Sequence, residues 1–345
     1  HLDSARQKGY TGKGITIALI DTPVDLSDPE LAGANIVDKS RCTLDASPTN
    51  STHGNSMAAL LVSQKYGVAP DATLYTYQTA TDGAASSGSC KQGTQELDTI
   101  ANLINQAIDD GAQIISISLS STDHDKDLKW AITRAVSQGV IIVSSMGNKA
   151  ADENNAHLAW WSGVVGVSAI HTDGTFASYS SWGNGVVTAA IGGPVTIRSS
   201  SSGETTTTEG TSNATALVSG MLALARQKWP DATTNQILQS LVHSGLNPNH
   251  EWNKYTGYGA IDGGGLVIDD PSQYPDENPI LNKPGGSEPT ADEVADYADG
   301  LINPAAEREV PDSYVYRGAD DQVVLYHADL KTPLHLGTSP RYHRK

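Results

Sequence analysis

Apolar residues follow two alternating patterns over the first three quarters of the chain. Short β-branched runs without polar alternation are typical of parallel strands buried on both faces. These runs are Ile15–Asp21, Ala72–Tyr77, Ile114–Leu119, Val140–Ser145 and Val164–Ile170. Between them, apolar residues recur at helical spacing and stop at Gly111 and Gly139, as at helix C-termini. The alternation predicts an α/β fold with a doubly wound, mostly parallel sheet and helices on both faces.

The apolar periodicity fades after Gly257–Asp262. Pro, Asp and Glu accumulate over Asp269–Asp296, and beyond them only Ser313–His327 resembles a short hairpin. We therefore place a boundary near residue 268, with an α/β domain at 1–268 and an acidic C-terminal extension at 269–345. The extension is either an arm packed on the domain or a linker.

Charge and hydropathy exclude several classes of partner. The 345 residues contain 22 Lys plus Arg and 39 Asp plus Glu, a formal net charge of −17. This excess of negative charge disfavours nucleic acids and anionic membrane surfaces. No segment approaches the roughly 18 consecutive apolar residues that cross a bilayer, so we expect no membrane span in this chain.

The chain has two cysteines, Cys42 and Cys90, and no CxxC pair. This pattern disfavours thiolate metal sites and thioredoxin-type chemistry. Two interpretations remain, either one disulfide in an oxidising compartment or two buried thiols. We expect the disulfide.

Four segments carry candidate chemistry at the ends of predicted elements. Asp21 closes the first strand, and His53 precedes the run Ser56–Val62, which indicates a helix start. Asn148 follows a buried strand, and Ser212 lies in the first turn of a long apolar helix. Each residue alone also fits a turn or a helix cap. Together they supply an acid, a histidine, an amide donor and a serine, and active sites in such sheets gather at the carboxyl ends of the strands.

The four segments resemble the subtilase family of serine peptidases, whose motifs have the form Asp-Thr/Ser-Gly, His-Gly-Thr, Gly-Asn and Gly-Thr-Ser-Met-Ala. Further matches occur in order across about residues 10–268, at Gly67–Pro70, Ile114–Leu119, Ala177–Gly183 and Gly257–Asp262. The resemblance implies a subtilisin-like fold, an extracytoplasmic location and a serine endopeptidase acting on proteins or peptides. It also implies a catalytic triad of Asp21, His53 and Ser212, with Asn148 in the oxyanion hole.

The sequence departs from the family pattern beside these residues. Pro23 stands where Gly is usual, Asn55 replaces Thr, Asn213 replaces Met, and Ala216-Leu217 replace Pro-His. None of these changes removes a reacting group. They bear on local geometry and substrate fit, since Pro fixes φ where Gly leaves it free.

The resemblance also implies a substrate channel beside which a peptide pairs as an extended strand. Its residues are Ser118, Leu119 and Ser120 on one side and Ser145, Met146 and Gly147 on the other. Ser120 occupies a position where many subtilases have Gly. Its added hydroxymethyl group predicts small or medium side chains at P1, the substrate residue before the cleaved bond.

Many subtilases bind calcium between the catalytic-His helix and the Gly-Val-Ala-Pro strand. Here that interval is the short segment Ser63–Tyr66, which contains Lys65 and lacks the several oxygen ligands that calcium requires. We therefore expect no metal at this position and no cofactor for the reaction.

A second resemblance is to mycosins, the membrane-anchored subtilases of type VII secretion systems. It rests on Leu158–Ser162 and on a Cys in the loop before His53. It implies a secretion-system or cell-surface partner and a membrane anchor outside this chain. The unusual flanking residues and the extension favour a processing peptidase of restricted specificity over a broad degrader. A non-catalytic binding or scaffolding module on the same fold is the alternative.

Overall fold

The computed structural model describes residues 2–41, 44, 48–79, 90–92, 95–119, 125–155, 157–198, 205–248, 251–285, 287–302 and 304. The chain divides into two compact units, His1–Thr290 and Ala291–Lys345. The hairpin predicted at Ser313–His327 lies outside the described residues.

A parallel sheet forms the centre of the first unit. The strands of the described residues are β1 (Thr16–Asp21), β2 (Asn35–Asp38), β3 (Thr73–Gln78), β4 (Lys91–Gln92), β5 (Gln95–Glu96), β6 (Ile114–Ile117), β7 (Ile141–Ser145), β8 (Val164–Ile170), β9 (Val186–Ile191), β10 (Val195–Arg198) and β11 (Thr205–Thr208). Seven of them form the sheet in the order β2-β3-β1-β6-β7-β8-β9, with every neighbouring pair parallel. Two antiparallel pairs, β4-β5 and β10-β11, lie outside it. The predicted doubly wound α/β fold is confirmed.

Helices pack on both faces of this sheet. Those of the described residues are α1 (Leu2–Gln7), α2 (Pro48–Val62), α3 (Ile100–Asp109), α4 (Lys126–Ser137), α5 (Thr211–Lys228), α6 (Thr234–His243), α7 (Gly263–Ile268) and, in the second unit, α8 (Ala291–Ala298). The side chains of Thr99 and Asp125 accept N–H groups from the first turns of α3 and α4. Gly111 and Gly139 follow these helices with positive φ, so both predicted helix ends are confirmed. None of the described helices is both long and apolar enough to cross a lipid bilayer.

Strand β1 shows why the sheet needs helices on both faces. Ile17 and Leu19 are buried in one apolar cluster with residues of α2 and α5, and Ala18 and Ile20 in a second cluster with residues of α3 and α4. Successive side chains of a strand point to opposite faces, so a strand covered twice requires an unbroken apolar run. Each buried Leu or Ile contributes about 1.5–3 kcal/mol. This double cover fixes the sheet edge that carries the candidate site.

Residues that follow α7 also pack within the first unit. Ile280 is buried, and Gly163 and Ser162 donate their N–H groups to the carbonyls of Ile280 and Glu288. The buried ammonium group of Lys283 donates to Ala159 O (2.7 Å) and Gly185 O (3.0 Å). Burial lowers the pKa of Lys283 well below its usual value. The domain boundary near residue 268 stays a prediction.

Cationic side chains surround the short loop that follows α2. Lys65 Nζ lies 3.0 Å from Glu30 Oε1, whose residue is buried. The guanidinium of Arg6 donates to the carbonyls of Lys65 and Gly67. Arg6 therefore contacts backbone oxygens of this loop, and Lys65, which belongs to the loop, contacts the facing Glu30. The predicted absence of a calcium site at Ser63–Tyr66 stays a prediction.

Candidate active site

Asp21 and His53 are in direct contact at the carboxyl end of β1. His53 Nδ1 lies 2.7 Å from Asp21 Oδ1. The carboxylate side chain is 1% exposed and the imidazole 38% exposed. Thr22 donates its N–H (2.7 Å) and its hydroxyl (3.2 Å) to the same Asp21 oxygen. The negative charge of Asp21 raises the pKa of His53 above its usual value, against the opposing effect of burial.

The sequence-based prediction that His53 precedes its helix is wrong. Helix α2 begins at Pro48, so His53 lies inside it. Pro is tolerated in the first turn of a helix because that N–H has no intrahelical partner. Gly54 is required in the next position, because a Cβ there would lie 2.4 Å from Thr22 O.

Asn55, which replaces the family's Thr, connects the two elements that carry Asp21 and His53. Its Oδ1 accepts the Asp25 N–H (2.7 Å), and its Nδ2 donates to Asp28 Oδ2 (2.9 Å). Gly54 N donates to Thr22 Oγ1 (2.9 Å). The loop after Asp21 is therefore bonded to α2 immediately beside the imidazole.

Ser212 is the second residue of α5, and its hydroxyl contacts the end of β6. Ser212 Oγ donates to Ser118 O (3.0 Å), and Ser118 Oγ donates to Ser212 O (3.2 Å). A serine hydroxyl has one hydrogen, so Ser212 has to release Ser118 O before it can donate to His53. Catalytic hydrogen bonds often form only when substrate is bound.

The side-chain amide of Asn148 is oriented by the residue before Ser212. Asn148 Oδ1 accepts both the N–H (2.8 Å) and the hydroxyl (3.0 Å) of Thr211. The Nδ2 group of Asn148 is then the donor end of the amide, and it lies near Gly210. A Cβ on Gly210 would lie 3.3 Å from Asn148 Nδ2 and 3.8 Å from Ser212 N. Asn148 Nδ2 and Ser212 N therefore both lie within 4 Å of one point beside Gly210.

The predicted channel residues end neighbouring strands of the sheet. Ser118 follows β6 and is buried, Leu119 is partly buried, and Ser120 lies outside the described residues. Ser145 and Met146 are buried at the end of β7, and Gly147 has a φ of +95°. Gly147 is buried as well, and the N–H groups of Met146 and Gly147 already donate to Val167 O (3.0 Å) and Thr211 Oγ1 (3.2 Å).

Two contacts of the site could not be recognised from sequence. Thr211 belongs to the Gly-Thr-Ser motif, but its bonds to Asn148 join residues that are far apart in sequence. Asn213, which replaces the family's Met, is buried and donates its Nδ2 to Gly192 O (3.0 Å). Asn213 therefore bonds α5 to the segment after β9. In the sequence, only its departure from the family motif pointed to this residue.

Cys90 is buried, whereas Cys42 lies outside the described residues. The Cys42–Cys90 disulfide stays a prediction.

The acid-histidine pair lies at the end of β1, and the serine at the helix N-terminus bonds the end of the neighbouring strand β6. These are the groups that a serine peptidase requires. The chain belongs to the subtilase family, because the sequence model of the Subtilase family (Peptidase_S8) matches residues 12–259. The predicted family is confirmed.

Individual relatives agree with this family. The thermostable alkaline protease of Halalkalibacterium halodurans is 30% identical over 272 residues, which cover 76% of this chain and 68% of that protein. The M-protease of Shouchella clausii is 32% identical over 271 residues, or 76% of this chain and 65% of that protein. Among solved structures, the MycP3 protease from the type VII (ESX-3) secretion system has a TM-score of 0.64 at 25% identity. The match covers 78% of this chain and 86% of the MycP3 chain, so the predicted likeness to mycosins is confirmed.

Proposed function

We propose that this chain is a serine endopeptidase in which Ser212 is the nucleophile, His53 the general base and acid, and Asp21 the residue that orients His53. Asn148 Nδ2 and the Ser212 N–H form the oxyanion hole. The observation that carries the proposal is the 2.7 Å contact between Asp21 and His53. It holds Nδ1–H toward the carboxylate and leaves Nε2 as the basic nitrogen.

The reaction proceeds in two halves. Ser212 Oγ leaves Ser118 O, gives its proton to His53 Nε2 and attacks the scissile carbonyl carbon. The carbonyl oxygen becomes an oxyanion between Asn148 Nδ2 and Ser212 N, and His53 then protonates the leaving amine. Water deacylates the enzyme by the same steps, with His53 again acting first as base and then as acid.

A fluorophosphonate probe separates this enzyme from a non-catalytic module on the same fold. The probe should label the wild-type protein and not Ser212→Ala. Ser219→Ala is a matched control, because Ser219 is a buried serine of the same helix whose hydroxyl donates to Thr215 O (2.9 Å). Labelling of Ser212→Ala equal to wild type would contradict the assignment of the nucleophile.

Restricted specificity is part of the proposal. The chain continues beyond the family match at residue 259, and residues beside the site, such as Asn55 and Asn213, depart from the family pattern. Both features favour a processing peptidase over a broad degrader. Ser120 favours small or medium P1 residues, and a cleavage profile on a peptide library tests both points. A profile dominated by Phe, Tyr or Trp at P1 would contradict the Ser120 hypothesis.

An extracytoplasmic location and a secretion-system or cell-surface partner are also proposed. They are supported by the mycosin likeness, since the MycP3 structure is described as a protease of a type VII secretion system. The expected disulfide agrees with an oxidising compartment.

The disulfide can be tested by intact mass after alkylation in denaturant without reduction, so that a buried thiol would also react. We expect Cys42 and Cys90 to remain unmodified, because a bridge between them would remove both thiols. It would close a loop of roughly fifty residues and stabilise the fold by about 3–4 kcal/mol in the chain-entropy model. Alkylation of both cysteines in the denatured, unreduced protein would contradict the bridge.

Asn148→Ala should lower kcat by about 10²–10³-fold with a smaller change in KM, because its amide donor acts mainly on the transition state. Asn148 also accepts bonds from Thr211, so a second variant is needed to separate donor from acceptor. Asn148→Asp keeps the acceptor and loses the donor, and should be at least as impaired as Asn148→Ala. If Asn148→Asp kept wild-type kcat in steady-state assays, Asn148 would not be an oxyanion donor.

A further inference from the structure

Ser181 fixes both peptide groups that flank Asn148. Its N–H donates to Gly147 O (2.9 Å), and its Oγ accepts the Lys149 N–H (3.1 Å). Ser181 is fully buried. The backbone position of Asn148 therefore depends on one residue that takes no part in the chemistry.

The hydroxyl of Ser181 is oriented by a buried carboxylate. Since Ser181 Oγ accepts from Lys149, its own hydrogen has to be donated elsewhere. Glu153 Oε1 lies 3.5 Å from Ser181 Oγ, and Glu153 is buried. A carboxylate oxygen can only accept, so this contact favours the hydroxyl orientation in which Lys149 is bonded.

His157 is the third member of this group. Its Nε2 lies 2.8 Å from Glu153 Oε2, and the residue is 2% exposed. Burial lowers the pKa of His157, and Lys149 acts in the same direction, while Glu153 opposes them. The 2.8 Å distance places the imidazole against the carboxylate, but neither ring nitrogen of His157 has a partner with hydrogen-bond geometry among the described residues.

The imidazole also lies against the loop itself. A Cβ on Gly147 would lie 3.2 Å from His157 Nε2 and 3.6 Å from Ser181 Oγ. Gly147 has a φ of +95°, a conformation that L side chains rarely adopt. The glycine before Asn148 thus lets the loop rest directly on His157 and Ser181.

We propose that Ser181, Glu153 and His157, here called the rear network, are positioning residues for the oxyanion donor Asn148. The inference rests on the proposed function, because it requires Asn148 Nδ2 to act on the transition state. Oxyanion donors act over 2.7–3.1 Å, and a displacement of about 1 Å can cost on the order of 10²-fold in rate. The rear network should therefore affect kcat and leave substrate binding nearly unchanged.

The test is a double-mutant cycle between the rear network and Asn148. Ser181→Ala and Glu153→Ala should each lower kcat by about 10-fold to 100-fold on a peptide substrate, with KM changed by less than about threefold. In the Asn148→Ala background the same substitutions should lower kcat by less than about twofold, because the donor they position is absent. Glu153→Gln, which keeps an acceptor oxygen, should recover most of the loss of Glu153→Ala.

Ser168→Ala is the matched control for loss of a buried serine hydrogen bond. Ser168 is buried in β8, and its hydroxyl donates to Tyr255 O (2.6 Å). This variant should reduce thermal stability and leave kcat unchanged. If Ser181→Ala does not fold, as judged by its melting transition, Glu153→Ala provides the same cycle.

The outcomes distinguish the inference from the function on which it rests. Equal loss of kcat from Ser181→Ala in the wild-type and Asn148→Ala backgrounds, with Ser212 still labelled by a fluorophosphonate, would overturn the rear network alone. An effect on KM or stability without loss of kcat would do the same. Wild-type protein that neither cleaves peptides nor reacts at Ser212 would overturn the proposed function and this inference together.

Discussion

Ser212→Ala is expected to lower kcat by about 10⁶-fold, His53→Ala by a similar factor, and the double variant by little more. Ser212 is a weak nucleophile until a neutral imidazole accepts its proton, so either substitution abolishes the same step. The residual rate should come from the oxyanion hole and from substrate binding, which neither substitution removes. Active-site titration and steady-state kinetics on one peptide substrate measure all three variants.

The geometry allows both single variants to fold. The Ser212 hydroxyl bonds one carbonyl, that of Ser118, and the His53 imidazole is partly exposed. Melting temperatures should therefore stay close to wild type, as in the Ser219→Ala control. If the losses in kcat multiplied in the double variant, the two residues would not act as one unit. Wild-type cleavage by Ser212→Ala, in a preparation free of other peptidases, would lead to the same conclusion.

The fold was predictable because the sheet is covered on both faces. That requirement produces apolar runs without alternation, such as the one ending at Asp21, and five of the seven sheet strands were recognised from such runs, whereas β2 and β9 were not. The strand bounds differ by a few residues: the predicted run Ile114–Leu119 ends as a strand at Ile117. Beyond that point Ser118 bonds Ser212 at the start of α5, a contact that depends on tertiary structure.

The start of α2 was mispredicted for a related reason. Apolar periodicity begins only at Met57, whereas the helix begins at Pro48. The turn around His53 is held by Gly54 and Asn55 through bonds to the loop after β1, and not by an apolar face. Pattern alone does not report helix residues that are stabilised by polar tertiary contacts.

The proposed reacting groups were assigned from motifs, but the contacts that orient them were not predictable from sequence. Each motif is local, and the order acid, histidine, amide, serine made the resemblance specific. The bonds that orient them join distant segments: Thr211 to Asn148, Asn55 to Asp28, and Ser181 to the Asn148 loop. Such pairs follow from how loops meet at one sheet edge, which no single segment encodes.

Asp21→Asn should lower the maximal kcat, reached at high pH, by about 10⁴-fold, with little change in the fold. The carboxylate accepts Nδ1–H of His53, so Nε2 remains free to take the Ser212 proton. An asparagine can present its NH₂ group to Nδ1 instead, which favours the tautomer with the proton on Nε2. That tautomer cannot act as the base.

The same variant should also shift the pH dependence of kcat/KM. Activity requires neutral His53 and therefore rises with pH through the pKa of His53, which Asp21 raises above its usual value. Removing the negative charge lowers that pKa, so the midpoint of the residual activity should move to lower pH while the plateau falls. Asp173→Asn is a suitable control, because Asp173 is an exposed carboxylate bonded to Thr175. A midpoint that stayed in place or moved to higher pH would mean that Asp21 does not set the ionisation of the catalytic histidine.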